Sequence, residues 1–286
     1  NEAGIINDTD IEFLHDYRIC LRKIRSLLSL VKGVYPAADL QQIRTMLGDL
    51  ARRTNRLRDL DVYLLAREEY LALLPPPFRP ALNSMFDDFA TERKSVVRTV
   101  TARLARQSFQ QQLHEISAFF AEESHHSPSP AAELPVGPLV FAAIYRRYRK
   151  ICKLAAVIDA ATPDIVIHQL RIECKKLRYL MEFFNELIPG ETSATLQKLL
   201  RRLQGRLGEF NDASVQQASL LDYWNRHKPR PETALGLGGL VSVLYQRQQQ
   251  SRTFIEQSLD EFCSGSTAAA FKRTFKLSAS ELTTDL

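Results

Sequence analysis

Two groups of cationic side chains carry the chemistry of this sequence. His15, Arg18, Arg22 and Arg25 are spaced three, four and three residues apart. At roughly 100° per residue, a helix places all four within an arc of about 80°. His168, Arg171, Lys175 and Arg178 repeat that spacing. Like charges this close repel by about 0.2–0.5 kcal/mol per pair, so a stripe built twice calls for an anion to offset it. Guanidinium forks bind phosphate oxygens two at a time, and ammonium groups act as point charges. A protonated imidazole donates from both nitrogens, and a nearby polyanion raises its pKa toward that state. The following segments add Arg52, Arg53, Arg56 and Arg58 in the first case and Arg201, Arg202 and Arg206 in the second. From residue 15 to 58 there are ten Lys or Arg against three Asp or Glu. Lys23 and Lys176 lie off the stripe by helical angle and count as flanking contacts. A single charged stripe is ordinarily a solvated helix face; its duplication favours a binding footprint.

The duplication extends well beyond the stripes. Sliding the chain by 153 residues lays His15 on His168 and, without gaps, Arg18 on Arg171, Lys23 on Lys176 and Arg25 on Arg178. The register continues through Pro36/Pro189, Leu50/Leu203, Arg53/Arg206, Asp59/Asp212, Val62/Val215 and Tyr70/Tyr223. Chance alignment does not keep cation, proline and carboxylate positions together over such a span, so the chain reads as a tandem repeat.

Helices must position these residues. Leu14, Tyr17, Leu21, Ile24, Leu28 and Val31 recur at helical spacing, which predicts a helix over 13–32 with one buried seam. Further helices are expected at about 40–74 (stopped by Pro75-Pro76-Pro77), 80–105 and 108–123. In the second unit they are expected at 139–160, 163–187, 192–227, 231–263 and 267–276. No segment alternates with period two, so the fold class is all-α. The expected units are 1–124 and 139–286, joined by a proline-rich linker at 125–138. At the repeat offset, the helix at 139–160 has its counterpart upstream of residue 1, so the first unit's opening helix is expected there.

The repeated segments Arg58-Asp59-Leu60-Asp61-Val62 and Asn211-Asp212-Ala213-Ser214-Val215 each carry a carboxylate among cations. Asp59 and Asp212 can orient a guanidinium or imidazole from behind or form a structural ion pair between helices. Either role predicts a depressed pKa. A metal on His15 or His168 is disfavoured, because no second ligand stands at i+3 or i+4 and cations crowd the place. There is no Walker loop, and Gly236-Leu237-Gly238-Gly239 follows no strand, so close helix packing explains those glycines better than a dinucleotide fingerprint. No catalytic triad stands out, and the basic face has too few carboxylates for the Mg²⁺ that phosphoryl transfer needs. The expectation is therefore binding without catalysis and without a cofactor. Net charge is +5 with a pI near 9.0. Cys20, Cys152, Cys174 and Cys263 form no C-x-x-C pair and read as buried thiols in a reducing cytoplasm. No apolar run reaches membrane-spanning length.

The segments His15-Asp16-Tyr17-Arg18 through Arg25 and His168-Gln169-Leu170-Arg171 through Arg178 resemble the conserved-histidine α-helical domain, CHAD. So do Arg58-Asp59-x-Asp61-Val62 and Asn211-Asp212-x-x-Val215. The resemblance implies a tandem duplication of helical bundles with pseudo-two-fold symmetry around a basic groove that binds inorganic polyphosphate. It also implies a cytoplasmic location on polyphosphate granules. Such domains often accompany a triphosphate tunnel domain, which is expected upstream or in a partner, since helical periodicity leaves no room for a barrel here. The expected contacts are His15, Arg18, Arg22, Lys23, Arg25, Arg53, Arg56, His168, Arg171, Lys175, Lys176, Arg178, Arg202 and Arg206. Replacing Arg18, Arg22, Arg171 and Lys175 together by Ala is expected to abolish binding and leave helicity intact. The rivals are a nucleic-acid-binding protein, disfavoured because only Tyr17 and Tyr179 lie near the stripes for stacking, and a scaffold for acidic proteins.

Overall fold

Apolar residues at i, i+3, i+4 and i+7 fold as amphipathic helices only when their seams find partners. In the computed structural model, which describes residues 1–30, 34–121, 135–159, 161–188 and 190–277, they do so without any strand among the described residues. The α-helices are α1 (Glu2–Ile6), α2 (Ile11–Leu30), α3 (Ala37–Arg53), α4 (Asn55–Leu65), α5 (Arg67–Ala72), α6 (Asn83–Leu104) and α7 (Gln107–Ala121). They continue with α8 (Val136–Ala155), α9 (Asp164–Phe183), α10 (Gly190–His227), α11 (Pro231–Phe262) and α12 (Gly265–Phe271). Short 3₁₀ turns cover Pro76–Leu82 and Asn185–Leu187, and a π-helical turn covers Lys272–Leu277.

The chain forms two compact units. One comprises Asn1–Glu133 with Pro229–Leu240; the other comprises Leu134–Lys228 with Val241–Leu286. The division expected from sequence, at 1–124 and 139–286, thus differs in one respect: residues 229–240 pack with the first unit. Two glycines account for the fit. A Cβ on Gly236 would stand 3.2 Å from Ala81 Cβ and 3.3 Å from Leu82 Cδ2, and one on Gly239 would stand 3.2 Å from Leu74 Cδ2. Gly238 faces open space. Gly236→Val is therefore expected to cost about 1–3 kcal/mol through overpacking. Gly238→Ala should gain up to about 1 kcal/mol in helix propensity, both read by urea denaturation. Residues 122–134, which hold most of the expected linker, lie outside the described residues; α8 begins at Val136, with Pro138 tolerated in its first turn.

In the first unit, Leu14, Tyr17, Leu21 and Leu28 of α2 pack with Leu40, Ile43, Leu47 and Leu50 of α3 and with Leu57, Val100, Leu104 and Phe109. Ile24, expected in this seam, is 36% exposed. It sits at the edge of the apolar arc farthest from the cationic stripe, where no neighbouring helix covers it. Val31 lies outside the described residues. The helix expected at 40–74 is three helices, broken at Thr54 (φ −109°, ψ 0°) and Ala66 (φ −86°, ψ 9°). In the second unit α9 packs on both α8 and α10, and Leu170, Leu177, Leu200, Leu203 and Ile144 are fully buried.

Candidate functional site

On α2 the cationic stripe borders the apolar seam, which divides its members into two kinds. Arg18 is half-buried and committed. Its Nη1 donates to Ala51 O at 2.9 Å, Thr54 Oγ1 at 3.0 Å and Asn55 Oδ1 at 2.8 Å. It thereby satisfies the break between α3 and α4, where Thr54 is 1% exposed. Burial, with the charges of Arg22 and Arg58, pushes the Arg18 pKa down against the pull of Asp59; the group stays cationic.

The rest of the stripe is open. His15 is half-buried, and Arg22, Lys23 and Arg25 are exposed. Arg53, at the C-terminal end of α3, is exposed beside an open polar groove of about 520 Å³ bounded by Gln41, Gln42, Ser108 and Gln111. Among the described residues none of these five side chains has a hydrogen bond or an ion pair. Arg25 and Arg52 lie near Gly48 of α3, where a Cβ would meet Arg52 Nη1 at 3.5 Å and Arg25 Nη2 at 3.9 Å, both ordinary contacts.

Arg56 belongs elsewhere. Its Nε and Nη2 hold both oxygens of Glu92 on α6, and its guanidinium lies 5.9 Å from the Phe89 ring centroid. The ion pair ties α4 to α6, so Arg56 is a packing residue rather than a free anion ligand. Asp59 departs from expectation: its pKa is raised, because loss of water around the carboxyl outweighs the attraction of Arg18 and Arg56. Asp61, only 2% exposed, accepts from Arg93 Nε at 2.6 Å, while Arg93 Nη1 and Nη2 reach Asp8 at 2.9 and 2.7 Å. The sequence motif marked Asp61 but not its partner, which lies on a helix of unremarkable composition.

The second unit uses the same positions differently. His168 Nδ1 meets Asn211 Oδ1 at 2.6 Å, and Arg171 Nη2 lies 3.6 Å from Asp212 Oδ1, so Asn211 and Asp212 stand behind the stripe of α9. Arg178 lies 3.5 Å from Glu182 and 5.2 Å from the Tyr179 ring. Lys175 is half-buried. Arg202 bonds Glu261 at 2.8 Å. Arg206 bonds Glu209 at 3.1 Å and covers the Phe254 ring at 4.8 Å.

Lys176 faces away from the stripe and donates to buried Glu173 at 3.2 Å. Glu173, 5% exposed, also accepts from Arg147 and, at 3.1 Å, from Lys150 of α8. Burial pushes its pKa up, but Arg147, Lys150 and Lys176 together hold it below the usual carboxylate range. In the first unit Cys20 occupies the position of Glu173, which leaves Lys23 without a carboxylate. Sequence reading also passed over Arg146 and Arg149 of α8, exposed and without a hydrogen bond or ion pair among the described residues. The run Arg146-Arg147-Tyr148-Arg149-Lys150 was the signal, missed because the 153-residue offset carries it to positions before residue 1, so the repeat could not single it out.

Tyr17 and Tyr179 are 7% and 4% exposed, so neither ring is offered to a nucleobase. Burial pushes the Tyr17 hydroxyl up to about 12, Glu2 adding to the rise and Arg53 opposing it. Among the described residues no group of three His, Cys, Asp or Glu side chains could hold a metal ion. Among the described residues no helix is long and apolar enough to cross a membrane.

Comparison with known proteins places these features in company. Residues 1–221 match the CHAD domain family. Two uncharacterized proteins of Mycobacterium tuberculosis, MT2285 and Rv2226, are each 26% identical over 220 residues, or 73% of this chain. The match spans only 40% of those relatives' length. The crystal structure of the CHAD domain from the plant Ricinus communis superposes with a TM-score of 0.71 at 20% identity, covering 90% of this chain and 84% of that one. PptA from Streptomyces chartreusis superposes with a TM-score of 0.62 at 18% identity, covering 88% and 90%.

Proposed function

Because the chain belongs to the CHAD domain family, we propose that it binds inorganic polyphosphate through the open part of the α2 stripe and Arg53. The observation that carries this reading is the set of unpaired cations Arg22, Lys23, Arg25 and Arg53 beside half-buried His15. A protein that gained only solubility from these charges would disperse them. Here three of them stand on α2 and one at the end of α3 with no carboxylate against them among the described residues, and those sharing a face of α2 repel one another until an anion arrives. A flexible chain of phosphates satisfies them without needing a base platform, which buried Tyr17 does not supply.

In the second unit Arg171, Lys175 and Arg178, with exposed Arg146 and Arg149, take a supporting part. Several of these cations must first release or share a carboxylate, so binding there is weaker. The chain holds its ligand and does not transform it, and polyphosphate granules in the cytoplasm are the setting this chemistry fits. The companion domain that transforms phosphate chains, if one is used, lies outside these residues or in a partner.

Titration with long-chain polyphosphate, single-stranded RNA and duplex DNA at two salt concentrations tests the reading. The expected result is tightest binding to polyphosphate, with log K falling linearly in log salt by about 0.7 per phosphate contact. The triple variant R22A/R25A/R53A should reduce that slope by about 2 and lower affinity at least about tenfold. Equal affinity for all three polymers would reduce the site to a generic basic surface. An unchanged slope in the variant would remove these residues from it.

A further inference from the structure

The thiols carry no second site: Cys174 alone is buried as expected, Cys152 and Cys263 are half-buried, and Cys20 stands exposed on α2. The open groove beside Arg53 holds chemistry that the cationic stripe leaves unused. Its walls are α3 and α7 of the first unit, which run antiparallel. Tyr35, just before α3, meets Phe119 late in α7 at 5.2 Å. Leu50 and Arg53 meet Phe109, at the start of α7, around a cavity of about 10 Å³. On α7 the groove is lined by Ser108, Gln111, Gln112 and Glu115, the i, i+3, i+4, i+7 spacing of one helix face. On α3, Gln42, Met46 and Arg53 share a face in the same way. Arg53 and Ser108 therefore stand at one end and Gln42 and Glu115 at the other. The α3 wall from Gln42 to Arg53 is about 16 Å long.

The middle of the groove is polar and uncharged. Among the described residues the side chains of Gln42, Gln111, Gln112 and Ser108 have no hydrogen-bond partner. Each glutamine amide offers two donors and an acceptor, which suits hydroxyl groups, themselves donors and acceptors at once. Among the described lining side chains Met46 is the one apolar member and none is aromatic, so a nucleobase finds no ring to stack on. Charge is confined to the ends. Arg103 of α6, exposed like Arg53, lines the small cavity with it and adds a second cation there. Asp49, on the same face of α3, is taken up by Arg52. Glu115, at the far end, can accept from a hydroxyl. The volume of about 520 Å³ falls within the range of about 300–1,000 Å³ of small-molecule sites.

We propose that the groove between α3 and α7 binds a sugar phosphate, with Arg53 and Arg103 on the phosphate and the glutamine amides of both walls on the sugar hydroxyls. This site goes beyond the polyphosphate reading and shares only Arg53 with it. Free phosphate uses the cationic end alone, and a neutral sugar uses the amides alone. A ligand carrying both groups engages the groove along its length. Because the groove is open to water, binding is weak and is read by NMR.

The test titrates the isotope-labelled full chain with glucose-6-phosphate and follows the glutamine side-chain amides. The expected result is saturable shifts at Gln42, Gln111 and Gln112, with glucose and inorganic phosphate each at least about tenfold weaker. Gln42→Ala/Gln111→Ala should weaken glucose-6-phosphate at least about tenfold and leave polyphosphate affinity unchanged, whereas Arg53→Ala should weaken both. Equal binding of inorganic phosphate or of AMP would overturn the proposal, since the hydroxyls would not be read. Equal binding of glucose would overturn it by removing the phosphate anchor. Unmoved glutamine amides would also overturn it, with polyphosphate binding left standing. Amide shifts with glucose-6-phosphate in a chain that binds no polyphosphate would support this site and sink the polyphosphate reading instead.

Discussion

Glu173→Ala is expected to destabilise the second unit by about 3–5 kcal/mol. Glu173 is 5% exposed and gathers Arg147, Lys150 and Lys176. Deleting the carboxylate leaves three cations around a buried hole, and Arg147, with a side chain only 20% exposed, cannot easily withdraw to water. A buried ion pair adds little against a well-packed apolar replacement, but breaking it from one side costs the full uncompensated charge. The double variant Arg147→Met/Glu173→Leu should therefore recover much of the loss. The single tryptophan, Trp224, lies on α10 of the same unit and reports unfolding in urea by fluorescence. A loss below about 1 kcal/mol in Glu173→Ala would mean that Glu173 is incidental to the packing of α8 on α9.

Acid should separate the two units for the same reason. The folded Glu173 pKa lies below its ordinary 4.5, so its stabilisation is complete above that value and is lost as pH falls through the folded pKa. Asp59 and Asp61 are shifted the other way, mainly by burial. Folding raises their proton affinity, so their contribution becomes more favourable as pH falls through the raised folded values, and the gain is complete below the ordinary 3.8. Hydrogen exchange followed from neutral pH downward should show α8 and α9 loosening before α4 and α6.

Much of this was legible in the residues because helices translate spacing directly into direction. The 153-residue offset, the two stripes and the all-α class follow from periodicity alone, and the offset equates Asn211 with Arg58 before any helix is drawn. What spacing could not reveal was commitment. Arg22 and Arg56 look alike in sequence, yet Arg56 faces Glu92, a partner from a helix whose packing no local pattern announces. Lys176 looks like Lys23, but the Glu173-for-Cys20 exchange one turn earlier decides that one is held by a buried carboxylate and the other meets none among the described residues. The breaks at Thr54 and Ala66 carried no Gly or Pro. At Thr54 the hydroxyl bonds the Ala51 carbonyl, and both accept from a side chain 33–36 residues away.

That long-range bond changes what the stripe mutations should do. Arg18→Ala is expected to destabilise the first unit by about 2–3 kcal/mol, whereas Arg22→Ala and Arg25→Ala should each stay within about 0.5 kcal/mol. One nitrogen of Arg18 serves Ala51 O, Thr54 Oγ1 and Asn55 Oδ1. Its removal takes a charged donor away from the carbonyl and the hydroxyl, which keep only their bond to each other and the Thr54 N–H, at a break where Thr54 is almost wholly buried. Relief of repulsion from Arg22 and Arg58 offsets part of that cost. The exposed pair loses no bond, so truncation removes only mutual repulsion. Replacing Arg18, Arg22, Arg171 and Lys175 together would therefore confound folding with binding, contrary to the expectation of intact helicity. The informative comparison is Arg18→Ala against R22A/R25A, with hydrogen exchange across α3 and α4 for stability and polyphosphate titration for affinity. Faster exchange at residues 51–58 in Arg18→Ala alone, with affinity lost in R22A/R25A alone, would assign the first to architecture and the second to the ligand. Unchanged exchange in Arg18→Ala would return Arg18 to the phosphate-contacting set, with its hydrogen bonds only a resting place for an unoccupied guanidinium.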